Sequence, residues 1–238
     1  MLRSRCRAAA ILAIVLTITP LAPARAQTAA PTGPAAPEGD AQVIVRLDHH
    51  LGTQEPPFSG TFLMAAGDRL LIHKGYGLAE RSHGAPNGPE TLFAIGSITK
   101  LFTAILALRL EQDGLVDLDD PAGTYLPELP ADKGDVLTLR HLLLHTSGIP
   151  HHFVGVPNYL LGVDQLNHSP REYIELFAGV PLAHAPGERF TYSSPGYFML
   201  AAALERASGE SYAELLDSRV TGPLGMTRTV PGLSLIHI

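Results

Sequence analysis

The sequence predicts an α+β fold with strands and helices in separate lobes, and three observations carry that expectation. Residues 60–66 and 69–75 are two β-type runs flanking Gly67-Asp68, the pattern of a hairpin with a short turn. From Gly96 onward the apolar spacing changes to that of helices. The strands come first and the helices after, which argues against the alternating order of a doubly wound sheet.

The elements follow in order. Val43, Ile44, Leu47 and Leu51 give residues 41–51 a helical spacing. A turn- and glycine-rich stretch covers residues 75–89. The run Leu101-Phe102-Thr103-Ala104-Ile105-Leu106-Ala107-Leu108-Arg109-Leu110 leaves almost no polar face, so it predicts a buried helix stopped by Gly114. Leu118-Asp119-Asp120-Pro121 reads as a turn, and Thr138 caps a helix over 139–145 ended by Gly148. Residues 170–178 form a short helix. Ser194, with Pro195 at the first helical position, caps another that runs to Gly209. Ser211-Tyr212-Ala213-Glu214 is a capping-box pattern for one more.

The N-terminus reads as a secretory signal: Arg3, Arg5 and Arg7, an apolar stretch over 8–21, and Ala24-Arg25-Ala26 as a small-x-small cleavage site. The division expected is signal peptide 1–26, disordered leader 27–40 rich in Ala, Pro, Thr and Gly, and a partial folded domain 41–230 followed by a tail 231–238 that reads as non-native. The only cysteine, Cys6, lies in the signal, so the mature chain is expected to have no disulfide or thiol chemistry. Losing the signal's four arginines takes the formal net charge from −6 to −10. An acidic chain of this kind argues against nucleic acid or an anionic membrane as partner. The expected location is periplasmic or secreted, in a bacterium.

The chemistry is concentrated in Gly96-Ser97-Ile98-Thr99-Lys100. On a helix, residues three apart share a face, which sets the Lys100 amine beside the Ser97 hydroxyl at the helix N-terminus. A serine becomes a nucleophile when a neighbour takes its proton, and burial of Lys100 would disfavour its charged form. The bland alternative is a serine cap followed by a snorkelling lysine. A second stretch, Phe190-Thr191-Tyr192-Ser193-Ser194-Pro195-Gly196-Tyr197, lies just before a helix. Tyr192 there could serve as a proton shuttle or be an ordinary core tyrosine.

Taken in order, these motifs resemble the serine β-lactamase/penicillin-binding-protein-like superfamily, in its branch of class C β-lactamases, esterases and D-Ala-D-Ala-type peptidases. The resemblance covers about residues 57–229. It is carried by Lys74-Gly75-Tyr76-Gly77, the Ser97–Lys100 stretch, Leu118-Asp119-Asp120-Pro121, and Leu139-Arg140-His141-Leu142-Leu143-Leu144-His145-Thr146-Ser147-Gly148. Pro186-Gly187-Glu188-Arg189-Phe190-Thr191-Tyr192-Ser193 and Pro223-Leu224-Gly225-Met226 complete it. The resemblance implies a β-lactamase/transpeptidase-like fold, with an antiparallel sheet lobe of which only the first hairpin is present and a helical lobe. It implies Ser97 as acylated nucleophile, Lys100 as the residue easing its deprotonation, and Tyr192 as general base and proton donor to the leaving group. The Ser97 N–H would form half of an oxyanion hole. No cofactor or metal is implied. The substrate would be a small ester, β-lactam or D-amino-acid peptide.

Two departures qualify these roles. The family's tyrosine motif usually ends in Asn, whereas this chain has Ser194, which could contact substrate or act only as a helix cap. The family's third motif, a Lys- or His-led triplet ending in Gly, does not occur between Tyr192 and Ile238. The ending therefore reads as a truncated frame or a non-native join, and a poorly stable, inactive chain is expected. The alternative function is a non-catalytic or decayed protein that binds cell-wall peptide. Other chemistries fare worse. There is no Gly-x-Ser-x-Gly elbow. Ser147 sits at a helix end, where a local role is the better reading. His145, His151 and His152 lack a carboxylate at zinc spacing.

Overall fold

The hairpin forms where the two β-type runs place it. In the computed structural model, which describes residues 38–151 and 170–230, β1 (Gly60–Ala66) pairs antiparallel with β2 (Arg69–Tyr76). Gly67 takes φ 58 in the turn. The register slips after Met64, which faces Ile72 while Ala65 faces Leu70, so Leu71 is the extra residue of a bulge. A smaller ribbon, β3 (Leu78–Glu80) with β4 (Ala85–Pro86), follows. These two ribbons are the sheet content among the described residues.

A two-stranded ribbon is marginal by itself in water, and here α1 (Glu38–Thr53) packs against β2. The Asp48 carboxylate accepts from Lys74 Nζ and from Tyr76 OH, each at 2.7 Å, and Asp40 pairs with Arg69 at 2.6 Å. The Lys74 and Tyr76 hydrogen bonds hold the Asp48 carboxyl below its usual range. Burial, then the Asp48 contact, pushes the Tyr76 phenol up to about 12. α1 begins three residues inside the stretch expected to be disordered leader, and Asp40 in that stretch has its ion-pair partner on β2. The signal peptide, residues 27–37 of the leader and the tail at 231–238 lie outside the described residues.

The helical lobe is built from α2 (Thr99–Gln112), the short turns α3 (Ala131–Gly134) and α4 (Leu139–Leu143), then α5 (Pro170–Ala178), α6 (Ser194–Ser208) and α7 (Tyr212–Leu216). Its centre is α6, which packs against α2, α4, α5 and α7. Ten successive α6 residues, from Pro195 to Leu204, are buried, as expected for a helix surrounded on all sides. Its Ala201-Ala202-Ala203 run lets neighbouring helices approach closely. Gly209 closes it in the left-handed conformation at φ 75. No helix among the described residues is long and apolar enough to cross a membrane.

Three local expectations need correction. α2 is apolar all round, yet only one face is buried, that of Lys100, Thr103, Leu106, Ala107 and Leu110. Leu101 (60% exposed) and Leu108 (51%) lie on the open side. Composition gave the apolar content of the helix, and packing against α6 and α7 selected the face. α4 stops at Leu143, short of the expected 145, because His145 turns left-handed at φ 58. The cap of α6 is Ser193, whose Oγ accepts from Gly196 N at 3.1 Å, so Ser194 is the first helical residue. The other caps stand as expected. Thr138 and His141 form a reciprocal box, as do Ser211 and Glu214.

Candidate active site

Ser97 sits on a single 3-10 turn, Gly96–Ile98, that leads into α2. Its side chain is exposed and caps nothing, since α2 starts without a side-chain cap. The cap reading of Ser97 therefore fails. One turn later Lys100 lies on the buried face of α2 at 6% exposure. It is not a snorkelling residue. Its Nζ donates to Ser97 Oγ at 3.4 Å, a long contact, and lies 5.1 Å from the ring centre of Tyr192 and 5.8 Å from that of Tyr197. The faces of two aromatic rings thus flank the ammonium, an arrangement that suits a cation electrostatically.

Tyr192 arrives from a distant part of the chain, and its OH donates to Ser97 Oγ at 2.8 Å. Three backbone hydrogen bonds bring it there. Thr191 N donates to His145 O at 2.7 Å, Gly187 N to Thr146 O at 2.8 Å, and Ala183 N to Gly148 O at 2.8 Å. Residues 183–191 are thereby laced along 145–148. Two of the histidines after α4 then accept from the tyrosine segment's backbone. His145 Nδ1 accepts from Ser193 N at 3.0 Å, and His151 Nδ1 accepts from Ser194 N at 3.3 Å.

Gly148 is the tightest point of this lacing. It has φ +78, and a Cβ there would lie 2.3 Å from the carbonyl oxygen of His184. Gly148→Ala should cost about 3 kcal/mol from left-handed strain plus the clash. That would lower the melting midpoint by about 6–12 °C. Gly209→Ala is the control: φ is +75 but nothing lies within 4 Å, so only about 1–2 kcal/mol is expected. Thermal melts of the two variants giving equal losses would contradict the close approach at Gly148.

The electrostatics make the Tyr192 phenol easier to ionise than an ordinary tyrosine. Burial pushes the Tyr192 phenol up, but hydrogen bonding to Lys100, Ser97 and Ser194 and the Lys100 charge outweigh it. The net result is a pKa below the ordinary tyrosine value. Tyr197, buried beside it, moves the other way, through burial and then the Tyr192 charge. Ser194 therefore meets the phenol with its side chain, while Ser193 takes the capping role.

The four residues singled out from the sequence, Ser97, Lys100, Tyr192 and Ser194, are thus brought together. His145 and Tyr197 join them and were not read as part of the site. The signal for His145 was its place in His145-Thr146-Ser147-Gly148, a motif noted for the family but not for its ring. Ser147 is buried, and its Oγ accepts from Ile149 N at 3.2 Å, a local turn contact. His152 lies outside the described residues. Among the described residues no three of His, Cys, Asp and Glu converge as metal ligands would.

The pattern of the beta-lactamase family matches residues 54–234. The chain belongs to the beta-lactamase family. It is 34% identical over 182 residues to penicillin-binding protein 4* of Bacillus subtilis (strain 168), covering 72% of this chain and 38% of that protein. It is 33% identical over 178 residues to esterase EstB of Burkholderia gladioli, covering 69% of this chain and 44% of that one. Among solved structures, a penicillin-binding protein from Bacillus halodurans superposes with TM-score 0.65 at 30% identity, over 79% of this chain and 56% of the other. The chain therefore spans less than half the length of these curated relatives. The β-lactamase/penicillin-binding fold is the one that the sequence motifs implied.

Proposed function

We propose, against the inactivity expected from the absent third motif, that this member of the beta-lactamase family is a serine hydrolase that acts through a covalent acyl-enzyme on Ser97. One observation carries the reading: Ser97 Oγ lies within reach of both Lys100 Nζ (3.4 Å) and Tyr192 OH (2.8 Å) on an exposed turn. With the phenol ionised, that contact reverses and Ser97 donates its proton to Tyr192. Ser97 Oγ then attacks the substrate carbonyl, and the oxyanion gathers at the Ser97 N–H beside the start of α2. Tyr192 returns the proton to the departing oxygen or nitrogen, the bond to the leaving group breaks, and water hydrolyses the ester on Ser97. Lys100 lies beside the phenol, and its contact is one of the influences that lower the phenol's pKa.

The substrate is an ester, amide or β-lactam carbonyl, with esters and D-amino-acid peptides ranked ahead of β-lactams. Ser194 supports that order, because a hydroxyl reaches less far and makes fewer hydrogen bonds than the amide usual at this position. The place of action proposed is outside the cytoplasm, on the strength of the basic and apolar pattern of residues 3–26.

The test is incubation with a fluorescent penicillin and with a 4-nitrophenyl ester, followed by peptide mapping. The expected adduct is on the peptide that carries Ser97. An adduct on another serine, or none at millimolar probe, would overturn the reading. Label that forms on Ser97 and never turns over would favour a protein that binds cell-wall peptide without hydrolysing it. Rapid cleavage of a chromogenic cephalosporin with no ester cleavage would reverse the substrate order.

A further inference from the structure

His145 is held in an unusual way for a residue outside the reaction scheme. It is the one residue other than glycine among the described residues with positive φ, at 58, a conformation that costs a side chain of this size some strain. Strain of that kind persists where surrounding contacts fix it. The His145 N–H donates back to Leu142 O at 3.3 Å, and the other contacts lead to the tyrosine segment and the start of α6. The His145 carbonyl accepts from Thr191 N, and its Nδ1 accepts from Ser193 N, so the residue grips the backbone on both sides of Tyr192. Its ring lies between Tyr192 (centres 4.5 Å apart) and Tyr197 (4.7 Å), with Phe190 edge-on at 5.6 Å.

The Ser193 N–H needs this partner. Ser193 is 1% exposed and precedes the first turn of α6, where backbone donors have no intrahelical acceptor. An N–H facing Nδ1 requires a lone pair there, so the imidazole must be neutral with its proton on Nε2, because both nitrogens of a charged imidazole are donors. The surroundings keep it so. Burial, then the Lys100 and His151 charges, lowers its pKa to about 4. Lys100, His151, Tyr192 and Tyr197 are the titratable groups that face it.

We propose that His145 is the positioning residue for Tyr192. Its Nδ1 accepts the Ser193 N–H and so sets the phenol against Ser97 and Lys100. His151 adds a parallel contact one residue later, through Ser194 N, with its ring edge-on to Tyr192 at 5.1 Å. The inference rests on the proposed acylation of Ser97 with Tyr192 as base.

Two variants isolate the acceptor. Asn and Gly both tolerate left-handed backbone and both remove the ring, but Asn Oδ1 can occupy the place of Nδ1 and Gly offers nothing. Acylation rates with a 4-nitrophenyl ester would be measured across pH for the parent, His145→Asn and His145→Gly, with circular dichroism as the check on folding. The expected result is His145→Asn acylating at least tenfold faster than His145→Gly. The basic inflection should stay near the parent's in His145→Asn. In His145→Gly it should move toward the ordinary tyrosine value, as the phenol drifts from Lys100. A merely structural role would lower the active fraction without moving the inflection. Equal rates and inflections in the two variants, with the parent acylated on Ser97, overturn the role of His145 alone. A parent that takes no label on Ser97 overturns the proposed function and this role together.

Discussion

Ser97→Ala is expected to abolish covalent labelling and turnover while lowering the melting midpoint by only about 2–4 °C. The side chain is exposed and caps no helix, so deleting its oxygen removes no packing. Tyr192 OH and Lys100 Nζ lose an acceptor there, which costs about 1 kcal/mol. Loss of reaction could not then be attributed to unfolding. Ser147→Ala is the mirror image. That hydroxyl is buried and accepts from Ile149 N, so its removal should cost about 1 kcal/mol of stability and leave the Ser97 adduct intact. Labelling rates, intact mass and melting curves on the two variants separate the roles. Retained hydrolysis in Ser97→Ala would remove Ser97 from the mechanism.

Tyr192→Phe should lower the acylation rate by about 10²–10⁴-fold, the usual contribution of a positioned general base. The substitution keeps the ring, and with it the contacts to His145 and His151 and the cation contact with Lys100. Only the oxygen 2.8 Å from Ser97 Oγ is lost. The pH profile supplies the sign. Burial is the largest single influence and raises the phenol pKa, and the combined effects of Lys100, Ser97 and Ser194 bring it below the ordinary value of 10.0. The base is the ionised form. The acylation rate should therefore rise with pH, inflect below 10 and level off above that inflection. In Tyr192→Phe the rise should vanish. Rate constants for ester acylation at closely spaced pH values check both statements, and an unaltered profile in Tyr192→Phe would assign the base elsewhere.

The sites at which sequence reasoning succeeded share a feature: the chemistry involved is local. Gly67-Asp68 between two β-type runs specifies a hairpin through turn geometry. Ser211 with Glu214, and Thr138, specify helix starts because a side chain three residues away satisfies a free N–H. Ser97 and Lys100 meet because one helical turn separates them. The misses occur where neighbouring choices are locally equivalent. Ser193 and Ser194 are both good caps, and the contacts of Tyr192 and His151 select between them. Nothing in Leu143-Leu144-His145 ends a helix by propensity. The chain turns left-handed at His145 because its ring and carbonyl are claimed by residues 191–193.

The sequence by itself determined the order of elements, the family motifs and the pairing of Ser97 with Lys100, all of which depend on neighbours within a few residues. Only the tertiary structure decided which face of α2 is buried, that α6 is the helix at the centre, and that Tyr192 meets Ser97 across 95 residues of chain. Apolar patterning states how much surface a helix must hide but not against what. A contact between distant residues exists only once the intervening chain has packed. At this site that packing is the lacing of residues 183–191 onto 145–148, which carries the phenol to the serine.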